Sequence, residues 1–467
     1  MGNIFRKKTV LDFEEEAKGS KLRKKLTSFD LATIGIGAVV GTGIFVATGE
    51  GAKLAGPAVV IAFLVAAVTC GLCSLTFCEL SSMFSVSGST YSYSYIAFGE
   101  IVAWIIGWDL MLEYIVAAAS VASAWSGTLM GILANYNIHL PASLTSSVIS
   151  GGIVDLPAVL LTIVVTALLY IGVSQSAKVN DIIVAFKICI IVLFVILGVT
   201  HIKVVNYHPF APYGFKGIMA SAAIIFYSFI GFDAIATSAE ETINPKRDIP
   251  RGLLMCFGAV VILYMSVAVV LTGIVPFTKI DINNALPGAL ASIGINWGSA
   301  LVGAGAVVGM ISTILVVMYA QIRIFMVMSR DGLLPKVFSH VNKEHQTPGL
   351  CTLITGCIVA LIAGLLPLKM IMELCNIGTL FAFILVSFGV IVLRYKMPNA
   401  ERKFRCPGVP FTPLITAFFC FYMMLNLPVF TWIRFGAWLL IGIVIYFLYG
   451  SKHSIIINRD KEKEKVV

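Results

Sequence analysis

Twelve apolar stretches follow one another along the 467 residues, and each is long enough for one membrane crossing. A helical crossing takes about 20 mostly apolar residues. The stretches are continuous and do not alternate, which favours helices over the strands of a β-barrel. The sequence therefore predicts an all-α integral membrane protein with twelve transmembrane helices. We number the stretches as spans 1 to 12, near residues 30–50, 57–81, 99–131, 156–174, 179–200, 217–240, 252–275, 299–328, 349–366, 371–393, 411–428 and 433–450.

The composition excludes the main soluble classes. Hydrophobic residues make up 58% of the chain, charged residues make up 12%, and the mean hydropathy is +0.95. Soluble domains carry about 25% charged and roughly 45–50% apolar residues. A soluble enzyme, a nucleic-acid-binding protein and a disordered chain are therefore excluded, and we expect the lipid bilayer as a partner and no nucleic acid. Span 1 is too long for the core of a signal peptide and is expected to remain as a crossing.

The basic residues predict the orientation. If the N-terminus lies inside and the spans alternate, 26 Lys and Arg residues lie on the inner side and 6 on the outer side. Basic residues concentrate in cytoplasmic segments. We therefore expect a multi-pass protein of the cell membrane with cytoplasmic tails at residues 1–29 and 451–467.

Span 1 is rich in glycine. Gly35, Gly37, Gly41 and Gly43 fall within nine residues, and each costs a helix up to about 1 kcal/mol relative to Ala. Close helix packing explains the first two equally well, whereas Gly41-Thr42-Gly43 predicts an unwound hinge. Irregular backbone at this depth is tolerated where it lines a cavity or is buried in protein.

Span 6 contains Gly231 and, two residues later, Asp233. An ionisable residue inside a membrane is a functional hypothesis by default. Spans 1 and 6 are the first spans of two five-span halves, and an odd number of spans inverts the second half. Glycine-interrupted segments at corresponding positions of two such halves indicate the site of a transporter.

The ends of broken helices predict the ligand. In this orientation the outer half of span 1 begins near Gly43, where free N–H groups and the helix dipole can hold a carboxylate. The outer half of span 6 ends near Tyr227–Ile230, where unpaired carbonyls can accept from an ammonium group. The two ends together predict an α-amino acid site, and two ordinary kinks without a ligand are the alternative.

Three segments resemble the amino acid–polyamine–organocation transporters, most of all the cationic amino acid transporter branch and its bacterial homologues. They are GIGAVVGTGIF at 35–45, FYSFIGFDAIATSAEE at 226–241 and SRDGLLP at 329–335. The resemblance covers roughly residues 25–450. It implies a five-plus-five inverted repeat with discontinuous helices 1 and 6. The repeats would cover 30–200 and 217–393, and peripheral spans 11 and 12 would lie within 409–450. It also implies proton-coupled uptake of L-amino acids without ATP.

The helix ends and the resemblance together predict the substrate-binding residues, with those of span 8 implied by the resemblance alone. They are Val39, Val40, Thr42, Gly43, Ile44, Phe226, Tyr227, Phe229, Ile230, Val317 and Met318. The expected side-chain pocket is apolar, and no acid is expected to face it. This favours small or medium neutral amino acids over arginine or lysine.

Three charged residues are candidates for proton coupling or gating. Lys187 lies about two turns, ~12 Å, inside span 5, and a buried lysine can exchange a proton near neutral pH. The resemblance places it beside the span 1 break, where sodium-coupled relatives hold a cation; the alternative is a fixed charge that ties helices together. Asp233 is either a proton-handling group or a helix cap. Glu113, which the resemblance places near the transport path, is either a relay or a structural hydrogen-bonding group.

Other functions remain as alternatives. An amino acid exchanger, a polyamine carrier or a non-transporting sensor is compatible with the same fold, although a sensor usually has longer tails. We expect no enzyme and no catalytic residues, because the chain has no HExxH motif and no P-loop. We also expect no cofactor and no metal, because Cys70-Gly71-Leu72-Cys73 has no second pair of ligands. An accessory membrane subunit is left open.

Overall fold

The structure is a computed structural model. It describes residue 6 and residues 24–84, 89–135, 137–172, 177–282, 284–340, 342 and 347–456. Most of the two expected tails, residues 1–5, 7–23 and 457–467, lies outside these ranges.

The described residues form an all-helical protein, with two isolated β-bridges as the only extended pairing among them. The α-helices of four or more residues are α1 (Ser28–Val39), α2 (Thr48–Ala55), α3 (Val59–Met83), α4 (Ser89–Ala97), α5 (Glu100–Asn135), α6 (Leu156–Ile171), α7 (Ala177–Val199), α8 (Gly214–Ile225), α9 (Ala234–Thr237), α10 (Pro245–Ile274), α11 (Ala285–Ser292), α12 (Asn296–Arg330), α13 (Gly349–Leu365), α14 (Leu368–Lys396), α15 (Phe411–Leu425) and α16 (Val429–Ile445).

In the described part of the chain each predicted span overlaps helix, and eight helical segments, some of which join successive helices such as α2 with α3 and α8 with α9, are long and apolar enough to cross a membrane. Four further apolar helices, α1, α6, α13 and α15, are shorter. The short helices α4 and α11, between spans 2 and 3 and between spans 7 and 8, were not predicted. The protein is thus a multi-pass membrane protein, while the count of twelve crossings and the inverted repeat stay predictions.

The first interruption lies where the glycines predict it. Helix α1 begins with a capping box, in which Thr27 accepts from the backbone N–H of Asp30 and Asp30 accepts from that of Thr27. It ends at Val39, because Val40 has a non-helical ψ of 89°. The chain resumes as a π-helical turn over Gly43–Ala47 and continues into α2. Span 1 is therefore two half-helices joined by residues 40–42.

The second interruption is longer. Helix α8 tightens into a 3₁₀ turn at Phe226–Phe229, Ile230 is extended with ψ 142°, and Gly231 has a φ of +108°. Residues other than glycine rarely adopt that φ, so Gly231 allows the chain to turn before α9 begins at Ala234. Span 6 is interrupted just before Asp233.

The long helices α5 and α12 pack antiparallel beside the two interruptions. Gly107 of α5 lies against Met328 of α12, and Gly303 of α12 lies against Ile132 of α5. Small residues let membrane helices approach closely. This pairing fixes the register between the two helices, so residues near 114 and near 321 lie at one level.

Ion pairs hold the two faces of the bundle. On the face where α1 begins, here the N-terminal face, Arg323 donates to Glu241 at 2.5 Å. The backbone N–H groups of Lys25 and Leu26 donate to the carbonyl of Glu241, both at 2.9 Å. On the opposite face, Lys369 lies 2.9 Å from Glu50.

A further ion cluster ties the loop after α14 to α3. Glu79 accepts from Arg394 at 2.6 Å and from Arg402 at 3.1 Å. The side chains of Glu79 and Arg402 are each only 1% exposed. Arg402 also donates to four backbone carbonyls, of Leu393, Met397, Pro398 and Ala400.

The Glu79→Ala substitution should lower the stability strongly, because it leaves the buried Arg402 guanidinium without its carboxylate. Removing one member of a buried ion pair costs about 3–5 kcal/mol. Thermal unfolding in detergent measures the loss. The matched control is Lys369→Ala, whose side chain is 54% exposed and whose ion pair is worth at most about 1 kcal/mol. Equal effects of the two substitutions would contradict this assignment.

Candidate functional site

The two interruptions touch each other at the centre of the bundle. A Cβ on Gly43 would lie 2.4 Å from the Cα of Ser228, and a Cβ on Gly231 would lie 3.3 Å from the Cβ of Ala38. Glycine is therefore the residue type that lets the backbone of each broken helix approach the other. The four half-helix ends meet in one place.

The C-terminal end of α1 is capped by side chains from three other helices. A helix end leaves four carbonyls without partners inside the helix. Lys187 of α7 donates to the carbonyl of Gly37 at 2.9 Å, and Tyr264 of α10 donates to that of Val39, also at 2.9 Å. The Thr313 hydroxyl of α12 lies 3.2 Å from the carbonyl oxygen of Gly37 and 3.4 Å from that of Val40.

Lys187 is completely buried, and its amine lies among oxygen atoms. Its Nζ is 2.9 Å from the Thr313 hydroxyl as well as from the Gly37 carbonyl. The C-terminal end of a helix carries a partial negative charge that favours a cation. The amine is thus held by the α1 end and by one hydroxyl, and no carboxylate in the described part of the chain forms an ion pair with it.

A cavity lies beside the interruptions, between α5 and α12. Its lining comes from the first break, the second break and these two helices. The lining residues are Ala38, Val39, Gly41, Thr42, Gly43, Glu113, Tyr114, Ala117, Val121, Tyr227, Ile230, Gly231, Thr313 and Val317.

Part of the predicted site lines this cavity. The predicted residues that do so are Val39, Thr42, Gly43, Tyr227, Ile230, Val317 and Glu113. Five other predicted substrate-binding residues are buried next to the breaks but are not among the lining residues. They are Val40, Ile44, Phe226, Phe229 and Met318.

The two phenylalanines of the second break pack against other rings. Phe226 meets Phe383 edge-on with centroids 6.0 Å apart, and Phe229 lies 5.5 Å from Tyr264. In this conformation both side chains therefore pack against neighbouring aromatic rings, and neither lines the cavity. Tyr227 does reach the cavity, and its hydroxyl forms a short hydrogen bond with Ser120 of α5.

Several lining residues were not predicted. Ala117 and Val121 follow Glu113 at intervals of four residues, so all three share one face of α5. That periodicity was visible in the sequence and could have extended the predicted site from Glu113. Thr313 lies four residues before Val317 on α12 and could have been found in the same way.

The two predicted acids near the cavity differ in their surroundings. One alternative predicted that Asp233 caps a helix, but its side chain makes no cap on α9. Its carboxyl group instead accepts from the Tyr114 hydroxyl at 3.0 Å. Glu113 is 2% exposed and borders the cavity. Glu113, the acid that the resemblance places near the transport path, thus borders the cavity.

The arrangement offers a ligand both kinds of polar backbone end. The first turn of the helix that starts at Gly43 has N–H groups without partners inside the helix, and the 3₁₀ turn of the second break ends in carbonyls. In the described residues no group of three or more His, Cys, Asp or Glu side chains is placed to hold a metal ion. The arrangement thus brings helix-end N–H groups, helix-end carbonyls and apolar side chains to one cavity.

Known sequences resemble this chain along nearly its whole length. A sequence model described as amino acid permease matches residues 26–449. The branched-chain amino acid permease BcaP of Bacillus subtilis (strain 168) is 44% identical over 97% of this chain and 99% of its own. The methylthioribose transporter of the same strain is 41% identical over 98% and 100%. Cationic amino acid transporter 2, vacuolar, of Arabidopsis thaliana is 36% identical over 85% and 64%.

Gly43→Ala should force the two breaks apart, because the added methyl group would lie 2.4 Å from backbone of the second break. Overpacking of this kind costs typically about 1–3 kcal/mol, which thermal unfolding measures. The control is Gly258→Ala, where a Cβ meets nothing within 4 Å and a helix gains from alanine. A Gly43→Ala protein as stable as the Gly258→Ala protein would show that the breaks do not need this contact.

Proposed function

The chain belongs to the amino acid permease family, as the resemblance predicted, and on this premise we propose that it is a secondary active importer of neutral L-amino acids coupled to protons. The observation that carries the proposal is the meeting of two interrupted helices at one buried cavity. An interrupted pair of this kind presents opposite polar ends to one ligand.

The main chain would recognise the α-amino acid group. The N–H groups at the start of the Gly43–Ala47 turn favour the carboxylate, both by hydrogen bonding and by the helix dipole. The carbonyls at the end of the Phe226–Phe229 turn favour the ammonium group. Thr42 adds a buried hydroxyl beside the first of these ends.

The apolar wall of the cavity supports a branched or medium-sized neutral side chain. Ala117 and Val121 of α5, Val317 of α12 and Ile230 of the second break form this wall. Each buried methylene group of a ligand contributes about 0.8 kcal/mol in such surroundings. Two relatives, at 44% and 34% identity, are named branched-chain amino acid permeases. Their names also favour a branched side chain. Because Glu113 also borders the cavity, a substrate with a cationic side chain is a further possibility.

Lys187 would couple transport to protons. Its amine binds the carbonyl end of α1 and Thr313, which is where a coupling cation would meet the same oxygen atoms. When α1 moves away, the charged amine loses these partners and its proton is released. A sodium ion is disfavoured, because the amine already occupies the place.

In the proposed topology the N-terminal face is cytoplasmic and twelve crossings form two inverted five-span halves. The excess of basic residues on that side supports this orientation. Entry then occurs from the opposite face, and the ion pair of Arg323 with Glu241 closes the cytoplasmic side in the conformation described.

A second candidate substrate is methylthioribose, favoured by the relative that is 41% identical over the whole length. This thio-sugar has neither a carboxylate nor an ammonium group. It would therefore use the apolar wall and hydroxyl contacts and leave the two helix ends without charged partners.

Proteoliposomes with an imposed inward proton gradient should accumulate labelled leucine, and isoleucine or valine should compete better than arginine. Accumulation of labelled methylthioribose, with no uptake of labelled leucine, would assign the second candidate. Uptake that needs internal amino acid and no gradient would identify an exchanger, and the absence of uptake of every candidate would favour a sensor.

Lys187→Met should remove the dependence of leucine uptake on the gradient, since the variant has no amine to charge and discharge. The measurement is the ratio of initial rates with and without the gradient, which we expect to fall toward one. Lys203→Met is the control, because it removes an equal charge at an exposed position in a loop. An unchanged ratio in the Lys187 variant would exclude this residue from coupling.

A further inference from the structure

A carboxyl group without any hydrogen-bond donor lies in the middle of the bundle. Asp109 of α5 is completely buried, and neither of its side-chain oxygens has a partner in the part of the chain that the structure describes. A Cβ on Gly378 of α14 would lie 2.8 Å from its Oδ1. The carboxyl therefore occupies a space that exists because α14 carries a glycine there.

The groups that face Asp109 offer it no positive charge. Glu113 lies one turn further along the same helix face, and its carboxyl group offers Asp109 no positive charge. From α14, Cys375 faces this region and donates to the main-chain carbonyl of Glu113. From the second break, Asp233 is bound to Tyr114.

The basic and phenolic groups on the neighbouring helices are engaged elsewhere. Arg323 of α12 binds Glu241, and Arg394 of α14 binds Glu79. Lys396 of α14 donates to the carbonyl of Ala97, and Tyr91 of α4 donates to Asp331. In the described structure, none of them pairs with Asp109.

An ionised carboxylate in these surroundings is strongly disfavoured, because burial removes its hydration and no cation or donor replaces it. The protonated acid is the form that the site tolerates. Intramembrane acids of this kind are expensive and are typical of proton pathways.

Asp109 also lies one helix turn from an acid that borders the cavity, on the side of the N-terminal face. Glu113 borders the cavity, and side chains four residues apart on a helix have Cβ atoms about 5–6 Å apart. Asp109 comes next in the direction of Glu100, whose backbone N–H donates to the main-chain carbonyl of Arg6 at the N-terminal face. Gln321 of α12, at the level of Tyr114 by the register of the two helices, is buried with both amide atoms unpaired.

We propose that Asp109 is a proton-carrying group of the transport cycle, protonated in the conformation described here and ionised when the N-terminal half of the bundle opens to water. In that step the O–H bond of the carboxylic acid breaks, the proton passes to water on the N-terminal side, and the carboxylate stays on the protein. This inference rests on the proposed function. It adds a second proton-carrying group, an acid, to Lys187.

Asp109→Asn tests the role, because the amide has the size of the acid but does not titrate. In proteoliposomes, exchange of labelled leucine against internal leucine should stay within about two-fold of wild type. Gradient-driven accumulation should fall about ten-fold or more, and its pH dependence should flatten. Asp155→Asn is the matched control, since Asp155 is an acid at the start of α6 that accepts from Ser126 at 2.5 Å; this variant should behave as wild type.

The outcomes separate this inference from the function beneath it. Asp109→Asn protein that accumulates leucine with the wild-type pH profile overturns the role of Asp109 alone. Wild-type protein that exchanges leucine but ignores the gradient overturns proton coupling and this role together. Wild-type protein that neither exchanges nor accumulates any candidate substrate overturns the proposed function.

A second measurement uses the unaltered protein and does not depend on how the variant folds. Dicyclohexylcarbodiimide reacts with protonated carboxyl groups in apolar surroundings, and peptide mapping by mass spectrometry locates the adduct. Asp109 should be labelled, whereas Glu79, which pairs with two arginines, should not. Labelling of Glu113 with none at Asp109 would overturn the proposal.

Discussion

The structure depends on how the broken backbone of α1 is satisfied inside the membrane. Unpaired carbonyls at that depth have no water to bind and cost several kcal/mol each. Lys187, Thr313 and Tyr264 supply the missing donors from α7, α12 and α10. The interruption and its three supporting helices therefore form one unit, and a movement of α1 changes the surroundings of the buried amine directly.

The ligand site follows from the same constraint. Each break leaves one polar helix end toward the cavity, and the contacts of Gly43 with Ser228 and of Gly231 with Ala38 bring the two breaks together. Recognition by main-chain groups leaves the apolar wall free to differ between relatives. That separation is consistent with a family in which the relatives are named for branched-chain amino acids, methylthioribose and cationic amino acids.

Much of this arrangement could be predicted from the sequence, because its signals are local. Glycines in span 1, Gly231 with Asp233 in span 6 and the isolated Lys187 all stand out against apolar runs. The wall from α5 and α12 could not be predicted in full, because the register between two distant helices is set by packing such as Gly107 against Met328. Phe226 and Phe229 are not among the residues that line the cavity in this conformation, where their rings pack against Phe383 and Tyr264.

Lys187 and Asp109 are buried to the same extent, yet their surroundings favour opposite charge states. The carbonyl end of α1 supports a cation at Lys187, whereas neither carboxyl oxygen of Asp109 has a hydrogen-bond partner in the described part of the chain. On the proposed mechanism, both groups hold a proton in the conformation described, Lys187 as an ammonium group and Asp109 as a neutral acid. On the proposed mechanism, loss of the α1 contact discharges the first, and entry of water from the N-terminal face discharges the second. Asp109 therefore lies between the cavity and the face toward which the proton leaves. On this mechanism, the direction of proton release depends on which half of the bundle opens.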